Sequence, residues 1–366
     1  MTTSRFDSLR PPEKSRKRRD GGKKKKRNAW LGSGGDGSRP MPMVPEAEFS
    51  SYYGRQVVKA PPWENPIAIY LFLGGVAGGS ALLSVGGQLT GRTKLRRNGR
   101  LAALGGAALG SLALVADLGR PERFLNMLRT FKLSSPMSVG SWILVSFATP
   151  AGVAAVAELD DMTGRKVPLP KFARNILHKL SGPAGLASGA LGAPLAVYTS
   201  VLLSDTAVPT WNAAKDHLPF VFVSSASLAS GGLAMITTPV EEAGPARALA
   251  VAGAVGDVVA TRTMDAQMDP VANEPMHQGR PGKFLRLSEK LVIGGGLGAL
   301  LGGRNRIVAA ASGAALLAGS ALTRFGVLHA GLNSAKDPRY TVEPQKRRLA
   351  ERQAQGKVAD SITTVR

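Results

Sequence analysis

Long apolar stretches follow one another from Pro66 to about Val327, and polar, basic segments flank them at both ends. A helix needs about 20 mostly apolar residues to cross a bilayer. The pattern therefore predicts an all-α, polytopic transmembrane helix bundle; a soluble bundle rich in Ala and Gly is the alternative. About eight spans are predicted, at Asn65–Leu89, Leu101–Ala116, Val139–Ala157, Ser181–Leu203, Pro219–Pro239, Pro245–Thr263, Leu287–Gly303 and Ile307–Val327.

The polar stretch between the second and third spans reads DLGRPERFLNMLRTFKLSSPMSVGSW, from Asp117 to Trp142. Its Arg-Pro and Ser-Pro steps interrupt helices, because proline lacks an N–H and restricts the residue before it. Between them, Pro121–Phe131 places apolar residues on one side and charges on the other. We interpret this segment as a short amphipathic helix in the membrane interface.

Most of the formal net charge of +22 lies at the two ends of the protein. Residues 1–39 hold 13 Lys or Arg against 4 acids. A nucleic-acid tail is one interpretation, but beside a membrane domain a disordered arm on anionic lipid fits better. The predicted organisation is a disordered basic arm with a Pro-rich linker (1–60), a transmembrane domain (61–335) and a basic tail (336–366), with no nucleic-acid partner. No apolar segment follows the basic run as in a secretory signal.

An even number of spans places both termini on one side of the membrane. The polar motifs DLGRPERF, SPMSVGSW, YTSVLLSD and TRFGVLHAG then converge on that same face. The basic ends predict that this face is cytoplasmic. The short loop between the first two spans is also basic and lies opposite, so the charge rule leaves the orientation open; its cations are Arg92, Lys94, Arg96, Arg97 and Arg100.

Composition narrows the chemistry further. The sequence has 44 Gly and 0 Cys. Glycines at GxxxG spacing, such as Gly74/Gly78 and Gly106/Gly110, predict close helix packing. The absence of Cys excludes disulfides and thiolate-bound zinc or iron–sulfur clusters. The histidines fall one to a segment, which disfavours a haem pair or a metal site; they are His178, His217, His277 and His329. We expect no metal or covalent cofactor.

Ionisable residues beside apolar spans are costly and frequently functional, although each one alone is as readily a structural pair or a snorkelling end. Those of the predicted domain are Asp117, Asp205, Asp257, Arg262, Glu289, Lys290, Arg324 and His329. Together they suit a proton-coupled, lipid-soluble substrate such as a quinone. Tyr198 and His329 could donate hydrogen bonds to its oxygens, and Asp117, Asp205 or Asp257 could accept a proton. Asp257 with Arg262 is a candidate buried pair or proton route.

Four segments resemble one family: YLFLGGVAGGS, the Asp117–Trp142 stretch, YTSVLLSDTAVPTWN and RFGVLHAGLNSAKDPRYTVEPQ. They are similar to the polysulfide reductase/NrfD membrane subunits. The resemblance implies an eight-helix anchor without its own redox group in the cytoplasmic membrane. Such anchors bind menaquinol or another quinone as exchangeable substrate. They dock a four-cluster, ferredoxin-like iron–sulfur subunit, which links them to a molybdopterin oxidoreductase such as a formate dehydrogenase.

The resemblance also assigns positions. The quinone-contacting tyrosine of the fourth helix falls on Tyr198, and the acid of the DLGRP motif falls on Asp117. Family members often have a histidine in the first helix, where this sequence has only Asn65. The protein is thus expected to act only as a subunit of a quinone-linked oxidoreductase complex. A secondary transporter or ion-translocating subunit is the alternative, and an anchor that binds no quinone is a third interpretation.

Overall fold

The computed structural model describes residues 56–118 and 120–355. This part of the protein has eleven α-helices and one 3-10 helix, without a strand. The long helices are α1 (Asn65–Leu89), α2 (Thr93–Ala116), α3 (Pro136–Met162), α4 (Lys171–Ser204), α6 (Leu218–Thr237), α7 (Gly244–Gln267), α9 (Gly279–Gly302) and α10 (Arg306–Lys336). Short helices lie between and after them, at Pro121–Leu128 (3-10), α5 (Pro209–Ala213), α8 (Pro270–His277) and α11 (Arg339–Ala354). The predicted all-helical class is confirmed.

The eight long helices of the described part agree in number with the predicted spans. Six of them are long and apolar enough to cross a membrane: α1, α2, α3, α4, α6 and α10. The remaining two, α7 and α9, have 24 residues each but carry more charge. Helical backbone satisfies its own hydrogen bonds, which is why helices of this kind can span a bilayer. The protein is a multi-pass membrane protein.

Several helices continue beyond the apolar stretch that predicted them. α2 begins at Thr93 instead of Leu101, and α4 begins at Lys171 instead of Ser181. The connection between the third and fourth predicted spans is consequently reduced from residues 158–180 to residues 163–170. Ion pairs hold these polar extensions together, because Arg96 Nε lies 2.7 Å from Glu158 Oε1 and Arg174 Nε lies 3.0 Å from Asp160 Oδ2.

Two smaller predictions also change. The interfacial helix is a 3-10 helix at Pro121–Leu128 and is shorter than the predicted Pro121–Phe131. Its Leu125 is exposed, and its position in the membrane interface stays a prediction. The basic C-terminal tail is helical as far as Ala354. The N-terminal arm to residue 55 and residues 356–366 lie outside the described part.

Close contacts between glycines connect the long helices. α1 packs on α2, α4 and α6, and α6 packs on α7 and α10. A side chain at Gly78 of α1 would collide with the carbonyl oxygen of Gly192 in α4, and one at Gly313 of α10 would collide with that of Gly232 in α6. Small residues permit this approach. The GxxxG prediction is thus confirmed for Gly78, whereas Gly74 has open space beside it.

We expect Gly78→Ala to lower the free energy of unfolding by about 1–3 kcal/mol, because the added methyl group meets backbone that cannot move aside. Gly74→Ala is the matched control on the same helix, since nothing lies within 4 Å of its Cβ position. Thermal unfolding of both variants in the same detergent measures the difference. Equal unfolding temperatures would contradict the proposed contact between α1 and α4.

Candidate functional site

A cleft lies at one end of the bundle, where α1 and α3 begin and α2 and α4 end. Its volume is about 550 Å³, including the space at its open mouth. The lining residues are Trp63, Ile67, Tyr70, Leu114, Asp117, Leu118, Met127, Met137, Gly140, Ser141, Tyr198 and Leu202. Mostly apolar walls with a few polar groups are typical of sites for small organic ligands. We call it the Tyr198 cleft.

Tyr198 lies in the last two turns of α4, and only 9% of its surface is exposed. Its hydroxyl oxygen is buried and has no hydrogen-bond partner among the described residues. A buried polar group without a partner costs about 1–3 kcal/mol. The tyrosine therefore presents an unsatisfied donor and acceptor in an otherwise apolar cleft, which is the arrangement that a ligand with a carbonyl or hydroxyl oxygen would satisfy.

The position of the Tyr198 ring depends on Gly140, in the second turn of α3. A Cβ at Gly140 would overlap the Cε2 and Cδ2 atoms of the ring. The absence of a side chain at this point allows the aromatic ring to lie directly against α3. Ser141, the next residue, also lines the cleft and is buried. The SPMSVGSW motif thus shapes the cleft through its small residues.

Asp117 caps the end of α2 and also lines the cleft. Its Oδ1 accepts a hydrogen bond of 3.3 Å from the backbone N–H of Glu64, just before α1. Burial raises the pKa of the Asp117 carboxyl, and the hydrogen bond from Glu64 partly opposes this rise. A carboxyl group with a raised pKa is a better proton acceptor than an ordinary aspartate.

The indole ring of Trp63 forms another part of the cleft wall. Trp63 stacks on Trp211 of α5 with ring centroids 5.6 Å apart. The indole N–H of Trp211 donates to the carbonyl oxygen of Val327 in α10 at 2.8 Å. Gly331 of α10 leaves room for this indole, because a side chain there would collide with it. These contacts connect Trp63, in the cleft wall, to α10 through Trp211.

The predicted residues Asn65 and His329 contact each other beside the cleft and do not line it. His329 Nε2 lies 3.1 Å from Asn65 Oδ1, in the first turn of α1. The imidazole also lies against the rings of Phe284 and Phe325. This contact brings the start of α1 and the last part of α10 to the same end of the bundle as Asp117, as predicted from the motifs.

A second, more open cavity lies on the other side of Tyr198 and contains Asp205. Its volume is about 1370 Å³, including open space, and its walls also contain Asn212, Lys215 and Asp216. Tyr198 therefore borders an apolar cleft on one side and a polar cavity on the other.

The sequence matches the family described as polysulphide reductase, NrfD, over residues 55–242. This match covers more than half of the sequence. The protein belongs to the polysulphide reductase NrfD family. The match contains every residue that lines the Tyr198 cleft, whereas Asp257, Arg262 and His329 lie beyond it.

Two curated relatives match this NrfD-family protein over stretches of similar length. A protein NrfD homolog of Haemophilus influenzae is 26% identical over 186 residues, which are 47% of this protein and 57% of the relative. The C subunit of the polysulfide reductase of Wolinella succinogenes is 27% identical over 172 residues, which are 44% of this protein and 54% of the relative. The protein thus spans about half the length of the curated relatives that it matches.

Asp257 and Arg262, also predicted to contribute to the site, lie in another cleft between α7, α8, α9 and α10. They do not form the candidate buried pair, because each has a different partner. Arg262 is exposed and pairs with Glu289 at 3.2 Å, and Asp257 is buried with Arg324 as its main electrostatic partner. Of the predicted residues, Asp117 and Tyr198 line the Tyr198 cleft, and Asp257 and Arg262 line the α7–α10 cleft. Asp205 lies in the second cavity, and Asn65 contacts His329.

Sequence reasoning missed several residues of the Tyr198 cleft. Trp63, Tyr70, Met127, Met137 and Gly140 were not singled out as site residues. Their signal is weak, because aromatic residues, methionines and glycines are common in all membrane helices. Only the structure, in which four helix ends lie together, shows that these residues surround one cleft.

Proposed function

We propose that this NrfD-family protein is the quinone-binding membrane subunit of an oxidoreductase complex, and that the quinone headgroup binds in the Tyr198 cleft. The observation that carries the proposal is the buried Tyr198 hydroxyl, which has no partner among the described residues. A quinone oxygen can accept its hydrogen bond, and the apolar walls suit the ring.

Oxidation of a quinol releases two protons and two electrons, and reduction of a quinone takes up the same number. We assign the proton-accepting role to Asp117, whose pKa is raised by burial. Tyr198 positions one of the two oxygens of the quinone headgroup by hydrogen bonding. We assign to Asp205, which lines the second cavity together with Tyr198, the passage of protons toward water. The Asn65–His329 pair positions the start of α1 against α10 beside the headgroup.

The electrons need an acceptor or donor outside this protein. With 0 Cys, it has no thiolate to hold an iron–sulfur cluster. We therefore propose a four-cluster, ferredoxin-like iron–sulfur subunit as the immediate partner and a molybdopterin oxidoreductase, such as a formate dehydrogenase, beyond it. One similar relative is by name a subunit of a polysulfide reductase, which supports a multi-subunit assembly. We propose the cytoplasmic membrane as its location, with menaquinone as the quinone and the termini in the cytoplasm.

Titration of the purified protein in lipid nanodiscs with a fluorescent quinol analogue tests the site. We expect saturable binding that unlabelled menaquinone competes away, and a photoreactive quinone should label residues of the Tyr198 cleft. Labelling confined to α7–α10, or no saturable binding, would contradict the assignment. Co-purification from the native membrane tests the partners, which should include an iron–sulfur and a molybdopterin subunit.

Gly140→Ala is expected to weaken binding of the quinol analogue, because the new methyl group displaces the Tyr198 ring from its position against α3. Overpacking of this kind costs about 1–3 kcal/mol, which is shared between lost affinity and lost stability. The control is Gly152→Ala on the same helix, where nothing lies within 4 Å of the Cβ position. Identical affinities of the two variants for the quinol analogue would show that binding does not depend on the position of the Tyr198 ring.

A further inference from the structure

The second half of the bundle contains a cleft that the proposed quinone site does not use. It has a volume of about 690 Å³, including its open mouth, and lies between α7, α8, α9 and α10. None of the residues that line the Tyr198 cleft takes part in it. Asp257 is a buried acid in its wall, with 5% of its surface exposed.

The Asp257 carboxylate is poorly satisfied. Its Oδ1 atom is buried and has no hydrogen-bond partner among the described residues. The main charge that it experiences is that of Arg324 on α10, which is completely buried. A permanently ionised structural pair normally places carboxylate oxygens on guanidinium nitrogens. In the described part of the protein, two of the guanidinium nitrogens, Nε and Nη1, also have no partner.

Arg324 is held by groups other than Asp257. Its Nη2 donates to the carbonyl oxygen of Phe222 at 2.8 Å, and its guanidinium lies 3.6 Å from the centroid of the Phe222 ring. This positive charge is therefore fixed close to α6 whether or not Asp257 is ionised. Asp257 remains free to gain or lose a proton without dismantling the contacts of Arg324.

Polar groups continue from Asp257 toward the mouth of the cleft. Thr261, one turn along α7, lines the cleft, as do Ser288 and Thr323, whose hydroxyl oxygens lie 2.7 Å apart. The charged and titratable groups that line the cleft besides Asp257 are Arg262 and Asp265 of α7, His277 of α8, and Arg286 and Glu289 of α9. Arg324 of α10 is the main charge acting on Asp257, but it does not line the cleft. Those at the mouth pair with one another, Arg262 with Glu289 and Asp265 with His277, each at 3.2 Å.

We propose that Asp257 is a proton-binding site inside the bundle, which exchanges its proton with water through the α7–α10 cleft. The ligand is a single proton, delivered by hydronium to the carboxylate with release of water, so no electron is transferred in this step. Buried Arg324 supplies the compensating charge when the carboxylate is ionised. The site is separate from the quinone cleft and does not depend on quinone binding.

Infrared titration of the protein in lipid nanodiscs tests this proposal directly. We expect a protonated-carboxyl C=O band that changes with pH, shifts on isotope labelling of the aspartate carboxyl carbon, and is lost in Asp257→Asn. Glu289→Gln, which removes an exposed acid at the mouth of the same cleft, should retain the band. An unchanged spectrum in Asp257→Asn at every pH would overturn the proposal.

Two further variants keep the test decisive. If Asp257→Asn does not fold, Asp257→Glu is the substitute, because it retains a carboxyl group. The C=O band of this variant should no longer shift when aspartate is isotope-labelled. A band that still shifts with that label would refute the assignment of the band to Asp257. Thr261→Trp should slow hydrogen–deuterium exchange of the band by filling the cleft, and unchanged exchange would refute the route. Quinol-analogue affinity should be unaltered in Asp257→Asn, which separates this proposal from that for Tyr198.

Discussion

Tyr198→Phe should lower the affinity for a quinol analogue by about tenfold, because one hydrogen bond of about 1.4 kcal/mol is lost. Quinol-linked turnover of the complete complex should be abolished or nearly so. The protein itself should be no less stable, since the deleted hydroxyl has no partner among the described residues of the unliganded bundle. Removal of an unsatisfied buried hydroxyl can even raise the unfolding temperature. Lower binding with equal or higher stability is the signature of a ligand-contacting residue.

Binding titrations, thermal unfolding and subunit co-purification on the same preparations separate the possibilities. Asp117→Asn is the companion variant, and we expect it to abolish turnover while the complex remains assembled. Tyr340→Phe is a matched control, because this half-buried tyrosine lies on α11 and outside the cleft. If Tyr198→Phe or Asp117→Asn prevents assembly, these residues have a structural role and the assignment is wrong.

Glu158→Ala should lower the free energy of unfolding by about 3–5 kcal/mol, the largest stability effect that we expect. The Glu158 side chain is 2% exposed, at the end of the bundle opposite the Tyr198 cleft. Its Oε1 lies 2.7 Å from Arg96 Nε and 3.1 Å from Arg100 Nη1. Arg100 is buried as well, so the variant leaves a positive charge without its partner. Arg100 also donates to Gln88, which connects the cluster to α1.

Asp161→Ala on the same helix is the matched control. Asp161 is about half exposed and reaches only His178, at 3.9 Å, among the described residues. Exposed pairs of this kind contribute about 0–1 kcal/mol. Unfolding of both variants in detergent, followed by loss of monodisperse protein on heating, measures the difference. Similar losses would mean that water enters the Glu158 cluster and screens it.

The helices were largely predictable because each apolar stretch must satisfy its own backbone hydrogen bonds inside a membrane. Their ends were less predictable. Apolarity stops at Ala157, but α3 continues to Met162, since Glu158 and Asp160 find arginine partners on α2 and α4. Those partners are distant in sequence, so Glu158, which lies just beyond the predicted span, is instead buried inside the bundle.

The candidate site was predictable only in part. Asp117 and Tyr198 were identified and do line one cleft, while their quinone-binding roles stay a prediction. Asn65 and His329 were identified separately, and the structure brings them into contact. Asp257 and Arg262 of the sixth predicted span were a candidate buried pair or proton route, but the main charge acting on Asp257 is that of Arg324 on another helix.

The order of apolar and polar residues by itself determined that this is a multi-pass helical membrane protein, and its motifs determined the family. This follows because a helix needs about 20 apolar residues to cross a bilayer, and because its backbone must satisfy its own hydrogen bonds there. Only the tertiary structure decided which helix ends surround Tyr198, why Gly140 must lack a side chain, and which acids are buried beside arginines. Those features depend on contacts between helices, and nothing local in the sequence encodes the partner of a residue on another helix.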